Sequence, residues 1–322
     1  MTSYTINKSK FGDFDEFILK NKETLESVKI VSGFGCNVRE LILKQDIHLH
    51  QVISGHLIPS KLKKKYSMCA MMTPFVGRVP DGVYKFKDKK YNLEINKSSE
   101  NVAIHGLIYD KKFELVDDEI TTDFASITFE FNISEDMFQG YPFSLSIRKK
   151  FILSESGLEI VTYAKNTGVG ALPFSDGWHP HFSLGKTIND SVLELEAKSM
   201  FNLNSRKVVS GSKKRLPKMS KYNPGNGVIG NRVFDNCYTD VVRKENLNGL
   251  SEAVLHFDSM KLILWFDEKY NFIQIYTPED RKTIAIEPMT SVSNSFNNKI
   301  GLIILKPTDS FEGHYGVSLR GQ

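Results

Sequence analysis

An alternation of apolar and polar residues runs through most of this chain and limits it to a fold built from half-buried strands. Successive side chains of a strand point to opposite faces, so alternation buries one face, as in antiparallel sheets. No long segment has the i, i+3, i+4, i+7 spacing of an amphipathic helix, and we also assign residues 37–45, NVRELILKQ, to a strand. The alternating segments, rich in Val, Ile, Phe and Tyr, are residues 28–33, 38–43, 126–134, 143–153, 157–166, 191–197, 261–267 and 271–278.

The character of the sequence does not change along its 322 residues, of which 40% are hydrophobic. That content is ample for a large core, and single β-sandwiches reach this size range. The most polar stretch, residues 204–231, predicts a long loop with short strands, because similar strand-like sequence lies on both sides of it. We therefore predict one all-β domain over residues 1–322, folded as a large antiparallel β-sandwich.

Charge and cysteine content limit the binding partners and the cellular compartment that the sequence predicts. The net charge of +4 is a mild excess without a concentrated basic face, so we predict no nucleic-acid partner. The N-terminus lacks the apolar region of a signal peptide, and no segment approaches the ~18 apolar residues of a membrane span. Cys36, Cys69 and Cys237 are scattered and odd in number, which favours reduced thiols. Together these features predict a soluble, cytoplasmic protein with no membrane partner.

Two short motifs resemble cofactor sites, and both lack the context that such a site needs. Residues 225–230, GNGVIG, match the letters of a dinucleotide fingerprint without the strand before and the helix after that hold the phosphates. His48 and His50 share one face of a predicted strand, and no third zinc ligand is evident nearby. The sequence therefore predicts no cofactor and no metal.

Reactive side chains occur in four rigid, turn-punctuated stretches that carry Arg78, His105, His179 and Glu287. Glu287 follows an apolar strand and precedes a proline, so it is expected to be partly desolvated. Desolvation raises the pKa of a carboxyl toward the working range of a general base. The alternative is that Glu287 only forms an ion pair with Arg78 or another cation.

Taken in order, these stretches resemble the aldose 1-epimerase (galactose mutarotase-like) family over nearly the whole chain. The resemblance rests on the order and spacing of several motifs, and it implies a β-supersandwich with an open sugar-binding cleft and no cofactor. The motifs are PFVGRVPDG (74–82), AIHG (103–106), HPHFSL (179–184), VFDNCY (233–238), IQIYTP (273–278), AIEPMT (285–290) and the closing LIILKPTDSFEGHYGVSL (302–319).

The resemblance also implies roles for individual residues. Glu287 looks like the general base that removes the anomeric hydroxyl proton, and His179 looks like the general acid that protonates the ring oxygen. His105 would hydrogen-bond the sugar near the ring oxygen and stabilise charge there, and Arg78 and Asp235 would hold hydroxyl groups. These residue types suit the chemistry, because a cyclic hemiacetal opens when O1 loses a proton while the ring oxygen gains one. We expect the carboxylate and the imidazole on opposite sides of the ring.

Several positions depart from the family pattern. Gly77 replaces an Asn, Leu107 replaces a second Gly, and His181 replaces a Tyr. His181 has the same strand parity as His179, so it either enters the cleft as a substrate-binding residue or lies in the core behind it. Trp178 would offer an apolar face to a sugar ring.

Three functions follow from this pattern. The first is mutarotation of a free aldose, which makes a small-molecule sugar the partner of a monomer or homodimer. The second is non-catalytic carbohydrate binding on the same scaffold, which needs no acid–base pair. The third is mutarotation of a hexose 6-phosphate, which needs cations at the rim of the cleft, with Lys85, Lys89 and Lys90 as candidates.

Overall fold

The computed structural model describes residues 3–64, 68–183, 185–209, 211–225 and 227–321. Strands make up most of the structure. The remaining regular elements are two short helices, α1 (Pro59–Lys64) and α2 (Ser295–Asn298), and three 3-10 turns at Ser98–Glu100, Ile188–Asp190 and Glu245–Leu247. In chain order the strands are β1 Tyr4–Phe11, β2 Phe14–Asn21, β3 Ser27–Val31, β4 Asn37–Gln45, β5 His48–Gln51, β6 Arg78–Pro80, β7 Val83–Phe86, β8 Lys89–Asn92, β9 Val102–Ile104, β10 Glu114–Ile120, β11 Phe124–Ile133, β12 Leu145–Ser154, β13 Gly157–Asn166, β14 Leu172–Phe174, β15 His181–Phe182, β16 Val192–Leu195, β17 Ala197–Phe201, β18 Lys214–Arg215, β19 Asp235–Val241, β20 Ser251–Phe257, β21 Met260–Phe266, β22 Phe272–Tyr276, β23 Ile284–Met289, β24 Ile303–Leu305 and β25 Ser310–Gly321.

Three antiparallel sheets form the body of the protein, which confirms the predicted β-sandwich. The first is the five-stranded meander β1-β2-β3-β4-β5, and the second is the eight-stranded sheet β10-β11-β12-β13-β25-β21-β20-β16. The third is the six-stranded sheet β15-β23-β22-β19-β17-β18. Strand β2 contacts β11 and β12, so the meander packs on one part of the eight-stranded sheet. The six-stranded sheet carries Asp235, Gln274 and Glu287, which are discussed below.

Alternation explains how these strands form the core. In β12 every second residue is buried, and the inward positions include Ile147, Phe151 and Leu153. Burial of each aliphatic or aromatic side chain of this kind stabilises the folded protein by about 1.5–3 kcal/mol. One inward position of β12 is Lys149, which is fully buried among these apolar residues. A buried lysine requires a partner, and here the partner is Asp176.

Most predicted strands occur where the alternation placed them. Strand β13 covers residues 157–166, and the ambiguous segment 37–45 is β4. Glu287 lies within β23, two positions from its end, and does not follow the strand as expected. No helix among the described residues is long and apolar enough to cross a membrane.

Candidate active site

A cavity of about 530 Å³ opens above the six-stranded sheet. Polar and charged side chains from β6, β15, β19, β22 and β23 reach it, together with residues of the segment between β8 and β9. Its lining is Met68, Gly77, Arg78, Asn96, Lys97, Ser98, Ser99, Ile104, His105, His179, His181, Lys207, Asp235, Gln274, Tyr276, Glu287, Met289 and Ser293. Six of the seven residues that the sequence singled out therefore surround one space.

His179 and Glu287 are in direct contact within this cavity. Nε2 of His179 lies 3.1 Å from Oε1 of Glu287, and both side chains are about nine-tenths or more buried. The main chain of His179 is held on one side, where its N–H donates to Ala70 and its carbonyl accepts from the N–H of Cys69. A sugar ring does not fit between two groups at this distance, so the arrangement differs from the expected one on opposite sides of a ring.

The surroundings of Glu287 raise the pKa of its carboxyl. Burial holds the pKa of this carboxyl well above its ordinary value, and the negative charge of Asp235 raises it further. The guanidinium of Arg78 opposes both effects and lowers the pKa. A carboxyl with a raised pKa accepts a proton more readily, which suits a general base.

His105 has a strained backbone and a neutral ring. Its φ of +61° lies in the left-handed region, and its N–H donates to the carbonyl of Gly77. The next residue, Gly106, also has positive φ, and a Cβ there would collide with the main chain of Thr73. Burial, followed by the charge of Arg78, lowers the pKa of His105 to about 3, so the ring is uncharged at neutral pH.

The tautomer of His105 follows from its contact with Met72. Nδ1 lies 2.9 Å from the thioether sulfur, which can only accept a hydrogen bond. Nδ1 therefore carries the proton, and Nε2 of this neutral ring is an acceptor. The ring of His105 lies 4.7 Å from that of His179, centroid to centroid.

His181 borders the cavity and is not confined to the core behind it. Its ring centroid lies 5.0 Å from that of His179, and its Nδ1 lies 3.1 Å from the hydroxyl of Thr283. The parity argument therefore predicted its side correctly. With His105 at the other end, the three histidines form a row along one wall.

Arg78 and Asp235 both line the cavity, and each has an ionic partner. Nε of Arg78 lies 2.9 Å from Oε2 of Glu100. Oδ1 of Asp235 accepts a hydrogen bond of 2.9 Å from Gln274, and Oδ2 lies 3.2 Å from Nζ of Lys207. These pairs hold both side chains in place at the wall.

Trp178 does not reach the cavity, which corrects its assignment as a sugar-stacking residue. It is fully buried, stacks on Tyr315 at 5.6 Å between ring centroids and makes an edge contact with Phe182. Neighbouring residues of an extended segment face opposite sides, so a chain that turns His179 toward the cavity turns Trp178 into the core.

The lysines that lie at the cavity differ from those predicted. Lys85, Lys89 and Lys90 belong to the exposed hairpin β7–β8 and do not line it. Lys97 and Lys207 do line it, and each contacts a carboxylate. Their positions depend on turns between strands, and no sequence signal distinguished them from other surface lysines.

Gln274 is another wall residue that sequence reasoning missed. It lies directly opposite Glu287 in the ladder between β22 and β23. The motif IQIYTP contains it at an alternating position, so the strand pattern could have suggested which face it occupies. Among the described residues, no group of three or more His, Cys, Asp or Glu side chains has the arrangement of a metal site.

Comparison with known proteins identifies the family of this chain. Residues 16–318 match the family model described as aldose 1-epimerase. The chain belongs to the aldose 1-epimerase family. This family member is 24% identical over 253 residues to the uncharacterized Escherichia coli K12 protein YihR, covering 76% of this chain and 78% of that protein.

Solved structures share the fold of this aldose 1-epimerase family member. A galactose mutarotase-like protein from Clostridium acetobutylicum superposes with a TM-score of 0.86 at 20% identity, covering 99% of both chains. A galactose 1-epimerase from Lactobacillus acidophilus superposes with a TM-score of 0.79 at 14% identity, covering 100% of this chain and 99% of that one. At these identities the likeness establishes the common fold.

The raised pKa of Glu287 predicts a pH-dependent effect on stability. Above the ordinary value of 4.5 the unfolded chain has released this proton while the native protein still binds it, so native stability falls as pH rises through the native pKa. Glu287→Gln removes this penalty, and we expect its Tm to exceed that of the wild type by roughly 2–4 °C at pH 8. The difference should shrink toward pH 4. Thermal unfolding of both proteins across this range measures it, and Glu155→Gln at an exposed turn is the control.

Proposed function

We propose that this protein is a mutarotase that interconverts the α and β anomers of a free aldose by acid–base ring opening and reclosure. The observation that carries the proposal is the 3.1 Å contact between His179 and Glu287 in a cavity large enough for a sugar. Membership of the aldose 1-epimerase family supports the same reaction class. Simple sugar binding has no need of a buried carboxyl with a raised pKa beside an imidazole.

The reaction requires two proton transfers at oxygens bonded to one carbon. Glu287 takes the proton of the anomeric hydroxyl, while His179 gives a proton to the ring oxygen and the C1–O5 bond breaks. The C1–C2 bond of the open aldehyde then rotates. Ring closure follows on the other face, with the hydroxyl proton returned by Glu287 and the ring-oxygen proton recovered by His179. An acid and a base in contact with each other match two oxygens that share a carbon.

The remaining wall residues would hold the sugar. His105, neutral and protonated at Nδ1, would accept a hydrogen bond from a sugar hydroxyl through Nε2 and would not supply charge to the ring oxygen. Arg78 would donate hydrogen bonds to sugar hydroxyls, and Asp235 would accept hydrogen bonds from them. His181 would contact the sugar beside His179.

A phosphorylated aldose is the second candidate substrate. Lys97 and Lys207 line the cavity and provide cations near the sugar, although each already has a carboxylate neighbour. If a phosphate binds there, Lys97→Met and Lys207→Met should raise KM for hexose 6-phosphates at least tenfold, since each charge-assisted hydrogen bond contributes about 1.5–3 kcal/mol. The same variants should raise KM for the free sugar less than KM for the phosphorylated one, because there they act only through the carboxylates that they hold. Equal increases in KM for the phosphorylated and the free sugar would show that the two lysines do not bind a phosphate group.

Polarimetry tests the proposed reaction. Freshly dissolved α-D-glucose, α-D-galactose and the α anomer of a hexose 6-phosphate are followed to equilibrium, and buffer-catalysed mutarotation is subtracted. We expect acceleration with at least one of them. If none of these sugars, and no other aldose, equilibrates faster with the protein than without it, the carbohydrate-binding function replaces the enzymatic one.

A further inference from the structure

A buried ion pair joins the eight-stranded sheet to the segment between β14 and β15. Nζ of Lys149, on the inward face of β12, lies 2.7 Å from Oδ1 of Asp176, and both side chains have no solvent exposure. Asp176 is three residues before His179. Charges so deeply buried are costly to desolvate and persist only where hydrogen bonds satisfy them. The proposed mutarotation uses neither charge directly.

Asp176 accepts hydrogen bonds from four side chains that come from four parts of the chain. Oδ1 accepts from Lys149 and from the hydroxyl of Thr73. Oδ2 accepts from the hydroxyl of Thr162 at 2.9 Å and from the hydroxyl of Tyr270 at 2.8 Å. A carboxylate has about four lone-pair positions, so this one is fully occupied and its orientation is determined from every side.

The main chain of Asp176 is bonded to the strand that carries Glu287. Its N–H donates to the hydroxyl of Thr290 at 2.9 Å, and its carbonyl accepts from the N–H of Thr290 at the same distance. The N–H of Trp178 also donates to the carbonyl of Pro288. The segment before His179 and the segment after Glu287 are therefore joined at the point where the ion pair holds them.

Thr73 extends the same connection to His105. The Thr73 hydroxyl donates to Asp176, and its carbonyl accepts a 2.8 Å hydrogen bond from the N–H of Leu107, two residues after His105. The chain segments that carry His105, His179 and Glu287 thus converge on one buried carboxylate.

We propose that Asp176, neutralised by Lys149, is a positioning residue that sets the distance between His179 and Glu287. The inference rests on the proposed mutarotase function. Catalysis by an acid–base pair depends steeply on its geometry, and a displacement of 1 Å can cost about a hundredfold in rate. Loosening Asp176 therefore lowers kcat, whereas substrate contacts at Arg78 and Asp235 persist and leave KM nearly unchanged.

Tyr270→Phe tests this role without breaking the ion pair. Asp176→Asn is the obvious variant, but it leaves Lys149 buried beside a neutral amide and risks unfolding. Tyr270→Phe removes one donor to Asp176, and we expect kcat to fall about tenfold with KM within about twofold of wild type. Thr162→Val should act likewise, and Thr162→Ser, which keeps the hydroxyl, should restore kcat.

Tyr84→Phe is the matched control. Tyr84 is also fully buried, and its hydroxyl donates to a buried acceptor, the carbonyl of Gly140, at 2.9 Å. We expect it to lower Tm as much as Tyr270→Phe while leaving kcat unchanged. An unchanged kcat in Tyr270→Phe, or an equal loss in Tyr84→Phe, would overturn the positioning role.

Hydrogen exchange separates this inference from the proposed reaction. In Tyr270→Phe the amides of residues 176–181 should exchange at least fivefold faster than in wild type, and in Tyr84→Phe they should not. This readout holds even if the wild type proves inactive on every sugar tested. Unchanged protection of residues 176–181 in Tyr270→Phe would contradict the inference by itself.

Discussion

Glu287→Gln is expected to reduce catalysed mutarotation about a hundred- to ten-thousandfold, the range that a positioned general base contributes. The amide keeps the size of the carboxyl and cannot take the proton of the anomeric hydroxyl. KM should change little, because Arg78 and Asp235 still hold the hydroxyls. Initial rates by polarimetry over a range of sugar concentrations separate kcat from KM.

Asp235→Asn provides the matched comparison within the same cavity. It also converts a carboxylate to an amide, yet Asp235 bonds to Gln274 and Lys207 and not to His179. We expect a rise in KM of about tenfold and a smaller effect on kcat. If kcat fell equally in the two variants, Glu287 would not be the general base. The loss of one negative charge from the cavity would then explain both results.

His179→Asn is expected to cost as much as Glu287→Gln, and the two losses should not add. The two residues serve one concerted proton exchange, and residues that act as a unit are strongly non-additive. The kcat of the double variant should therefore be at most a few-fold below that of the slower single variant. Rates of the four proteins on one sugar complete the cycle.

His181→Asn is the control for this cycle. His181 shares the wall and the strand parity of His179, but its Nδ1 lies 3.1 Å from the hydroxyl of Thr283, whereas the imidazole 3.1 Å from Glu287 is that of His179. We expect it to alter KM and the preference among sugars, with kcat within about threefold of wild type. Full additivity of the His179 and Glu287 losses would show that the two residues act in separate steps.

Much of the fold was predictable because alternation is a local property of the sequence. Strand β13 matches its predicted bounds, and burial in β12 follows the alternation residue by residue, including the inward Lys149. Strand pairing is different, because it depends on contacts between distant residues. Gln274 faces Glu287 only through the register of β22 and β23, which the sequence does not specify.

The candidate site shows the same division. Parity along one extended segment predicts His179 and His181 on the cavity side, and applied to Trp178 it would have predicted the core. The contact between His179 and Glu287 depends on the isolated bridge between Gly177 and Met289, which joins residues more than a hundred positions apart. No local pattern encodes such a distance, so the expected separation across a sugar ring was wrong.

Exchange NMR of the anomeric protons at equilibrium tests the central claim most directly. In a sample of an accepted aldose, the wild type should produce exchange cross-peaks between the α and β signals at mixing times where buffer alone gives none. With Glu287→Gln those cross-peaks should disappear while broadening of the sugar signals persists as evidence of binding. Broadened signals without α–β exchange in the wild type, for free aldoses and hexose 6-phosphates alike, would contradict mutarotation and identify a protein that only binds sugars.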